Sequence, residues 1–340
     1  LSDLQEGLIL GSLLEIASQF PGKVEPWLEK IAVHERSIFT DMNGAFLNDG
    51  AALIIPDNME IAEPIHLMFL TTNHREPFVL QPRNLIVMGR NSSATLVETY
   101  DALEHNSYFT NTVTETFLGE NASLSHHKLQ LESRKAYHIG TNAALLNRDA
   151  RYLNTFISLG GQLTRNNLDI KLDAPGADAQ LFGLYMGKEH QHIDNSIFMH
   201  HHKAHTSSNQ VYKSILDDQS RGVFNGQIYV DKDAQKVNAY QLNKNLLLSP
   251  EAKAATKPQL KIFADDVKCS HGATVGQLDE NSLFYLRSRG ISKSVARSML
   301  TYAYASDIIE SIIVGSVRFY LYSVLLNRLG QGWDQVATGE

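Results

Sequence analysis

With 340 residues the chain is long enough for a large core, and length alone suggests two domains. A hydrophobic share of 43% against 20% charged residues excludes global disorder, and a net charge of −7 without a dense Lys/Arg stripe argues against a nucleic-acid partner. A single cysteine excludes an internal disulfide and suits a reducing compartment.

Residues 1–45 are predicted to be helical. Leu8, Leu10, Leu13, Leu14 and Ile16 crowd a first helix that Pro21-Gly22 breaks. A second is expected from near Pro26, with Trp27, Leu28, Ile31, Ile38 and Phe39 on its apolar side. The chain opens Leu-Ser-Asp, without a methionine or a signal peptide, as a trimmed or fragmentary sequence would. Short apolar runs at 51–56 and 65–71, bounded by Asp, Asn, Pro and Thr, then read as strands.

From about Asn84 to Gly276 the chain is a long series of strands with turn clusters between them. Ala94-Thr-Leu96, Ala122-Ser-Leu124, Ala150-Arg-Tyr152 and Ala179-Gln-Leu181 recur at spacings of 28, 28 and 29 residues, each after a turn cluster. A strand-rich period of that size suggests a β-solenoid, in which each coil covers its neighbour's hydrophobic edge. A β-sandwich with evenly spaced strands would show much the same pattern.

The stretch Pro258–Gly276 carries the most chemistry. Its alternation predicts strand, with Val267, Cys269, His271, Ala273 and Val275 sharing one largely apolar and therefore sheltered face. Thiol and imidazole then project the same way from Cα atoms roughly 6–7 Å apart. Both are metal-ligand types, but two ligands do not complete a zinc site or hold an iron–sulfur cluster, so a metal here needs ligands from a second chain. A buried structural cysteine beside a satisfied histidine fits the same residues.

Past Gly290 the pattern is helical again. Ser292 or Ser294 can cap a helix with Val295, Met299, Tyr302, Ile309, Ile312 and Ile313 recurring on it, and Gly315 can interrupt it. A second helix runs through Val317, Leu321, Val324 and Leu325 to Arg328, before Gly330, and 331–340 is expected to fray. The apolar window Ile308–Leu326 is broken by Glu310, Ser311 and Arg318, which makes it a poor membrane span and the chain an expected soluble, intracellular one.

Other motifs point less sharply. In a strand His190, His192 and Asp194 would share a face, as would His200 and His202, so metal binding is chemically open; polar ladders on a solvated sheet fit as well, since no second carboxylate completes a recognisable site. Adjacent pairs Asp217-Asp218 and Asp265-Asp266 would point to opposite faces of a strand, and turn placement explains them better than catalysis. No phosphate-binding loop and no Gly-x-Ser-x-Gly nucleophile signature is present, so ATP hydrolysis is not expected of this chain. Arg287, Arg289 and Arg297 form a basic patch where sheet gives way to helix, which also suits a solvated helix face.

Residues 257–276 (Lys-Pro-Gln-Leu-Lys-Ile-Phe-Ala-Asp-Asp-Val-Lys-Cys-Ser-His-Gly-Ala-Thr-Val-Gly) and 283–290 closely resemble the SufB/SufD family of iron–sulfur cluster assembly proteins, and Cys-Ser-His-Gly-Ala-Thr looks like its SufD branch. Stretches 47–51, 64–67, 221–226 and 233–241 extend the resemblance, while the Trp-Lys-Tyr-Thr-like N-terminal motif usual in SufD-type proteins is missing. The resemblance implies a mainly β fold, a right-handed parallel β-helix core (61–285) between an N-terminal mixed helical segment (1–60) and a C-terminal helical segment (286–340). It implies a non-catalytic cytoplasmic or plastid-stromal scaffold that pairs with a SufB-like paralogue and a SufC-like ABC ATPase, with a homodimer open to the isolated chain. Cys269 and His271 would supply ligands to iron or a nascent iron–sulfur cluster shared with the partner and not held tightly by this chain alone. Arg287, Arg289, Arg297 and Tyr302 would lie where the ATPase docks, and His192 and His205 also fall where the family carries histidine. Two other readings compete: a polysaccharide-acting enzyme on a β-helix, and a homodimeric metal-binding solenoid using the histidine cluster.

Overall fold

Left-handed turn residues punctuate the chain. Asn91, Asn121, Asp149, His205 and Lys236 have φ between 52° and 62°, and each stands two residues before a strand. Asn and Asp tolerate this conformation through short polar side chains. At the equivalent corner before Asp178 the residue is Gly176, φ 78°. The corners stack: Asn121 N–H donates to the Arg148 carbonyl, Asp149 to Pro175, Gly176 to His205 and His205 to Gln235.

The computed structural model describes residues 6–32, 37–72, 76–104 and 106–329. Its strands are β1 (Ile9–Ser12), β2 (Ala51–Ile55), β3 (Ile65–Thr71), β4 (Val79–Leu80), β5 (Arg83–Met88), β6 (Ser93–Ala102), β7 (Phe109–Leu118), β8 (Ser123–Gln130), β9 (Tyr137–Leu146), β10 (Arg151–Ser158), β11 (Leu163–Leu172), β12 (Asp178–Gly187), β13 (His192–His201), β14 (Ser207–Leu216), β15 (Arg221–Val230), β16 (Asn238–Leu247), β17 (Lys253–Ile262) and β18 (Lys268–Gly276). Helices α1 (Leu13–Gln19), α2 (Pro21–Val24) and α3 (Ile38–Ala45) precede β2, and α4 (Glu280–Ser288), α5 (Lys293–Ile309) and α6 (Gly315–Leu329) follow β18.

From β5 onward, odd strands join one sheet and even strands the other, ending at β17 and β18. The result is a parallel β-solenoid of about eight turns with helices at both ends. Inward side chains such as Leu96, Leu124, Tyr152, Leu181, Ile197 and Phe224 form the continuous core.

The coil register corrects the repeat. Ala94 stacks on Leu124, which stacks on Tyr152 and then on Ala179, so the true steps are 30, 28 and 27 residues. Ala122 and Ala150 are corner residues just ahead of their strands. The recurring Ala-x-apolar triplet therefore matched corners to strand interiors at its first and last members.

The N-terminal expectation also changes. Leu8 and Leu10 face the solenoid core while Ile9 faces the outer cluster, so this segment alternates and pairs antiparallel with β2. The helix begins only at Leu13, where Ser12 accepts the Glu15 N–H. Among the described residues no helix starts near Pro26. Trp27 instead stacks on Phe117 at 4.1 Å, and Ile38, expected on an apolar face, is exposed at the start of α3.

At the other end Ser292 does cap α5, and α6 does begin at Gly315. Helix α4 was not singled out in the sequence. Gly330 and the tail 331–340 lie outside the described residues. Ala305, Ile308, Ile309, Ile312, Leu321 and Leu325 close over Leu129, Ile157, Leu184 and Ile215 on the outside of the even sheet.

Candidate functional site

Strand β18 is the last of its sheet, hydrogen-bonded to β16 on one side and to no described strand on the other. Its inward face is set by register. Cys269 lies beside Ala239 and His271 beside Gln241, and Ala239, Gln241, Asn243 and Asn245 are all buried in the lumen. Thiol and imidazole therefore point into the mouth of the solenoid from the same strand, two residues apart.

The shared face is confirmed, but the shelter is not. Among the described residues no further coil covers β18, so His271 is exposed and Cys269 only half-buried. Burial pushes the Cys269 thiol up, partly offset by the Ala239 backbone, which keeps it protonated at neutral pH. Behind His271, Gln241 donates to Gln210 Oε1 at 2.9 Å, while its own Oε1 has no hydrogen-bond partner among the described residues. A polar ladder thus leads inward from the imidazole.

Deeper in the lumen lies a charged cluster that the sequence reading did not raise. Glu98 is fully buried; His126 Nε2 lies 2.8 Å from its Oε2, Lys128 Nζ 3.8 Å from its Oε1, and Tyr100 donates to it at 2.7 Å. Burial alone would raise the carboxyl, but Lys128 and His126 outweigh it and hold Glu98 at about 2. Burial lowers Lys128 in spite of its acidic neighbours. A second buried acid, Glu132, takes His138 Nδ1 at 2.6 Å and the Thr110 hydroxyl. The signal was only the coil spacing: Glu98 and Lys128 become neighbours through β6–β8 register.

The histidine cluster divides. His190 lies in the turn before β13, so it does not share a strand face with His192 and Asp194, and Asp194 is taken by Arg165 at 2.8 Å. His205 serves as a left-handed corner. His200 and His202 do converge, on Asp231, a residue the sequence reading had not joined to them. Asp217-Asp218 and Asp265-Asp266 sit in turns, as expected.

Of the basic residues, Arg287 and Arg289 stay exposed on and just after α4, with Arg289 over the Tyr285 ring at 4.7 Å. Arg297 does not join them as a free cation. Its Nη2 donates to the Leu248 carbonyl at 2.8 Å and ties α5 to the solenoid. Tyr302 packs against Tyr322 of α6. The apolar face of 295–325 is spent largely on the even sheet, and the exposed apolar side chains of the C-terminal helical segment among the described residues are Phe284, Tyr285, Ile313, Phe319 and Tyr320.

Comparison with known proteins places these features. Residues 69–304 match the SUF system FeS cluster assembly, SufBD core domain, and residues 1–67 match the SufBD protein N-terminal region. The chain belongs to the SufBD family. An iron–sulfur cluster assembly SufBD family protein of Synechocystis is 38% identical over 291 residues, covering 83% of this chain and 64% of that protein. SufD of Escherichia coli is 32% identical over 280 residues (82% and 66%), and the chloroplastic protein ABCI7 of Arabidopsis thaliana is 31% identical over 318 (91% and 66%). The chain thus spans about two thirds of the length of these relatives. Cys269, His271, Arg287, Arg289, Arg297 and Tyr302 all fall within the matched SufBD core. Among the described residues no helix is long and apolar enough to cross a membrane.

Proposed function

We propose that the chain is a SufD-type, non-catalytic scaffold of iron–sulfur cluster assembly, working in a reducing cytoplasm or plastid stroma. One observation carries the reading most directly: a thiol and an imidazole face the lumen at the open mouth of the solenoid, on a strand whose outer edge has no described partner. Such an edge offers unpaired backbone groups to a strand of a second solenoid. A SufB-like paralogue joined there would bring its own ligands against Cys269 and His271, and iron or a nascent cluster would be cargo shared between the two chains.

His271 would act as a neutral nitrogen donor. Cys269 would contribute less, because its thiol must first lose a proton that its surroundings favour. The exposed Arg287, Arg289, Phe284 and Tyr285, beside α5 and its Tyr302, would meet a SufC-like ATPase. Arg297 would support this surface through its hold on Leu248.

The test is anaerobic co-purification with SufB-like and SufC-like partners, with mass by light scattering and iron and sulfide assays. A complex containing one copy of this chain and one of the paralogue is expected. His271→Ala should leave that complex intact and lower its iron or cluster content several-fold. Normal loading in His271→Ala would remove the imidazole from the site, and a chain that ignores both partners would remove the scaffold reading.

A further inference from the structure

We propose that His200, His202 and Asp231 form a binding site for a divalent first-row transition-metal ion on the outer face of the odd sheet. Residues of β13 alternate: Met199 is in the core and His201 is buried on Thr206 and Ser208, so His200 and His202 turn outward. His201 stacks on Val230 in the next coil, which sets Asp231 directly beside His202. Asp231 Oδ2 lies 3.0 Å from His200 Nε2 and 2.5 Å from His202 Nδ1, and the three ligand atoms fall within 4.8 Å of one another.

That spacing is close to what a small ion imposes. With bonds of about 2.1 Å, adjacent ligand atoms sit ~3.0 Å apart in an octahedral shell and ~3.4 Å in a tetrahedral one. To admit the ion, Asp231 Oδ2 and His202 Nδ1 must part by roughly half an ångström or more, while Asp231 Oδ2 and His200 Nε2 already stand at about the octahedral spacing. The rings are held in place beforehand: His200 lies edge-on to Tyr229 at 5.2 Å and near Phe198 at 5.9 Å, and the three side chains are half-buried.

One coil back, Asp173 Oδ1 stands 3.8 Å from His202 Nε2. A small closure would let it accept the Nε2 proton and leave the Nδ1 lone pair toward the ion, the carboxylate–histidine arrangement that orients metal-bound imidazole. Lys171 pairs with Asp173 at 2.8 Å, so the patch is not an acidic trap for any cation. Two imidazoles and one carboxylate favour zinc or iron-like ions over calcium or magnesium. Three protein ligands leave positions open.

This inference departs from the expectation that the isolated chain holds no metal tightly, and it does not rest on the scaffold reading, whose ligands are on β18. The test uses the full chain, metal-stripped, titrated with Co2+ and back-titrated with Zn2+. One equivalent should bind, giving visible d–d bands without a thiolate charge-transfer band, and Zn2+ should displace it and raise the melting temperature. Asp231→Asn and His202→Asn should each weaken binding at least tenfold and abolish the Zn2+-dependent rise, with unchanged circular dichroism; Asp173→Asn should weaken it less. Cys269→Ser/His271→Ala should bind as the parent does. Binding below one equivalent, binding indifferent to Asp231→Asn, or loss in Cys269→Ser/His271→Ala would overturn the assignment.

Discussion

Removing the Glu115 carboxylate should detach the N-terminal segment from the solenoid. Glu115 is fully buried on β7 and accepts from Arg83 Nε at 3.1 Å and Nη2 at 2.7 Å. It also accepts the backbone N–H groups of Glu29, Ile31 and Ala32 at 2.9–3.0 Å. Arg83, itself only 2% exposed, reaches on to Asn43 of α3. Glu115→Ala leaves that buried guanidinium with only the exposed Glu29 carboxylate, 3.9 Å away, as a counter-charge, and three backbone donors unanswered. Breaking one partner of a buried pair costs about 3–5 kcal/mol, against roughly 1 kcal/mol for an ordinary hydrogen bond. The second tryptophan, Trp333, is outside the described residues, so a Trp333→Phe background lets Trp27, stacked on Phe117, report this region alone. Urea unfolding followed by Trp27 fluorescence should show a loss of several kcal/mol, and Arg83→Met/Glu115→Leu should recover part of it, because no charge is left stranded. A loss below about 1 kcal/mol for Glu115→Ala would refute the anchoring argument.

Acid should destabilise the fold in two stages. Burial holds His127 at about 4 and His201 at about 3, below the usual imidazole value, so the unfolded chain binds more protons and stability falls as pH drops from about 6.5 toward those values. Glu98, depressed to about 2, contributes stability that is present above about 4.5 and is lost as pH falls toward 2. Chemical denaturation across pH should show both slopes, with His127→Gln flattening the first; no change in slope would count against the buried neutral ring. Gly183→Ala should cost about 1–3 kcal/mol, since the added methyl would fall within 2.2 Å of the Tyr212 ring packed in the core, and an unchanged melting temperature would show that the ring yields freely.

Much of the architecture was legible because its physics is local. Short apolar runs bounded by turn residues announce β2 and β3, and recurring turn clusters with period-two alternation announce the 84–276 strand series, so these could be read directly. Leu8 to Ile16 misled because a short alternating strand runs straight into a helix, and mixed spacings of leucine satisfy either. The site was legible only in part. Cys269 and His271 could be placed on one face, but their exposure depends on β18 being terminal, which residue patterns do not encode. Glu98, Lys128 and Asp231 were missed for one reason: their partners lie a whole coil away. Asp173, His202 and Asp231 are each 29 residues apart, so extending the period past its fourth repeat would have found them.

The two ends of the solenoid are unequal in a way that bears on how many chains can associate. At the C-terminal end the edges are ten residues in β17 and nine in β18, while at the other end the odd sheet stops at β1, four residues antiparallel to its neighbour, and the even sheet at β3, seven residues parallel to β6. Head-to-tail stacking needs a matching edge at each end of both sheets, and in the odd sheet the two edges match in neither length nor direction. The short antiparallel β1 thus works against a copy stacking head to tail on the odd sheet, and the long C-terminal edges are a better surface for a single partner than for a growing filament.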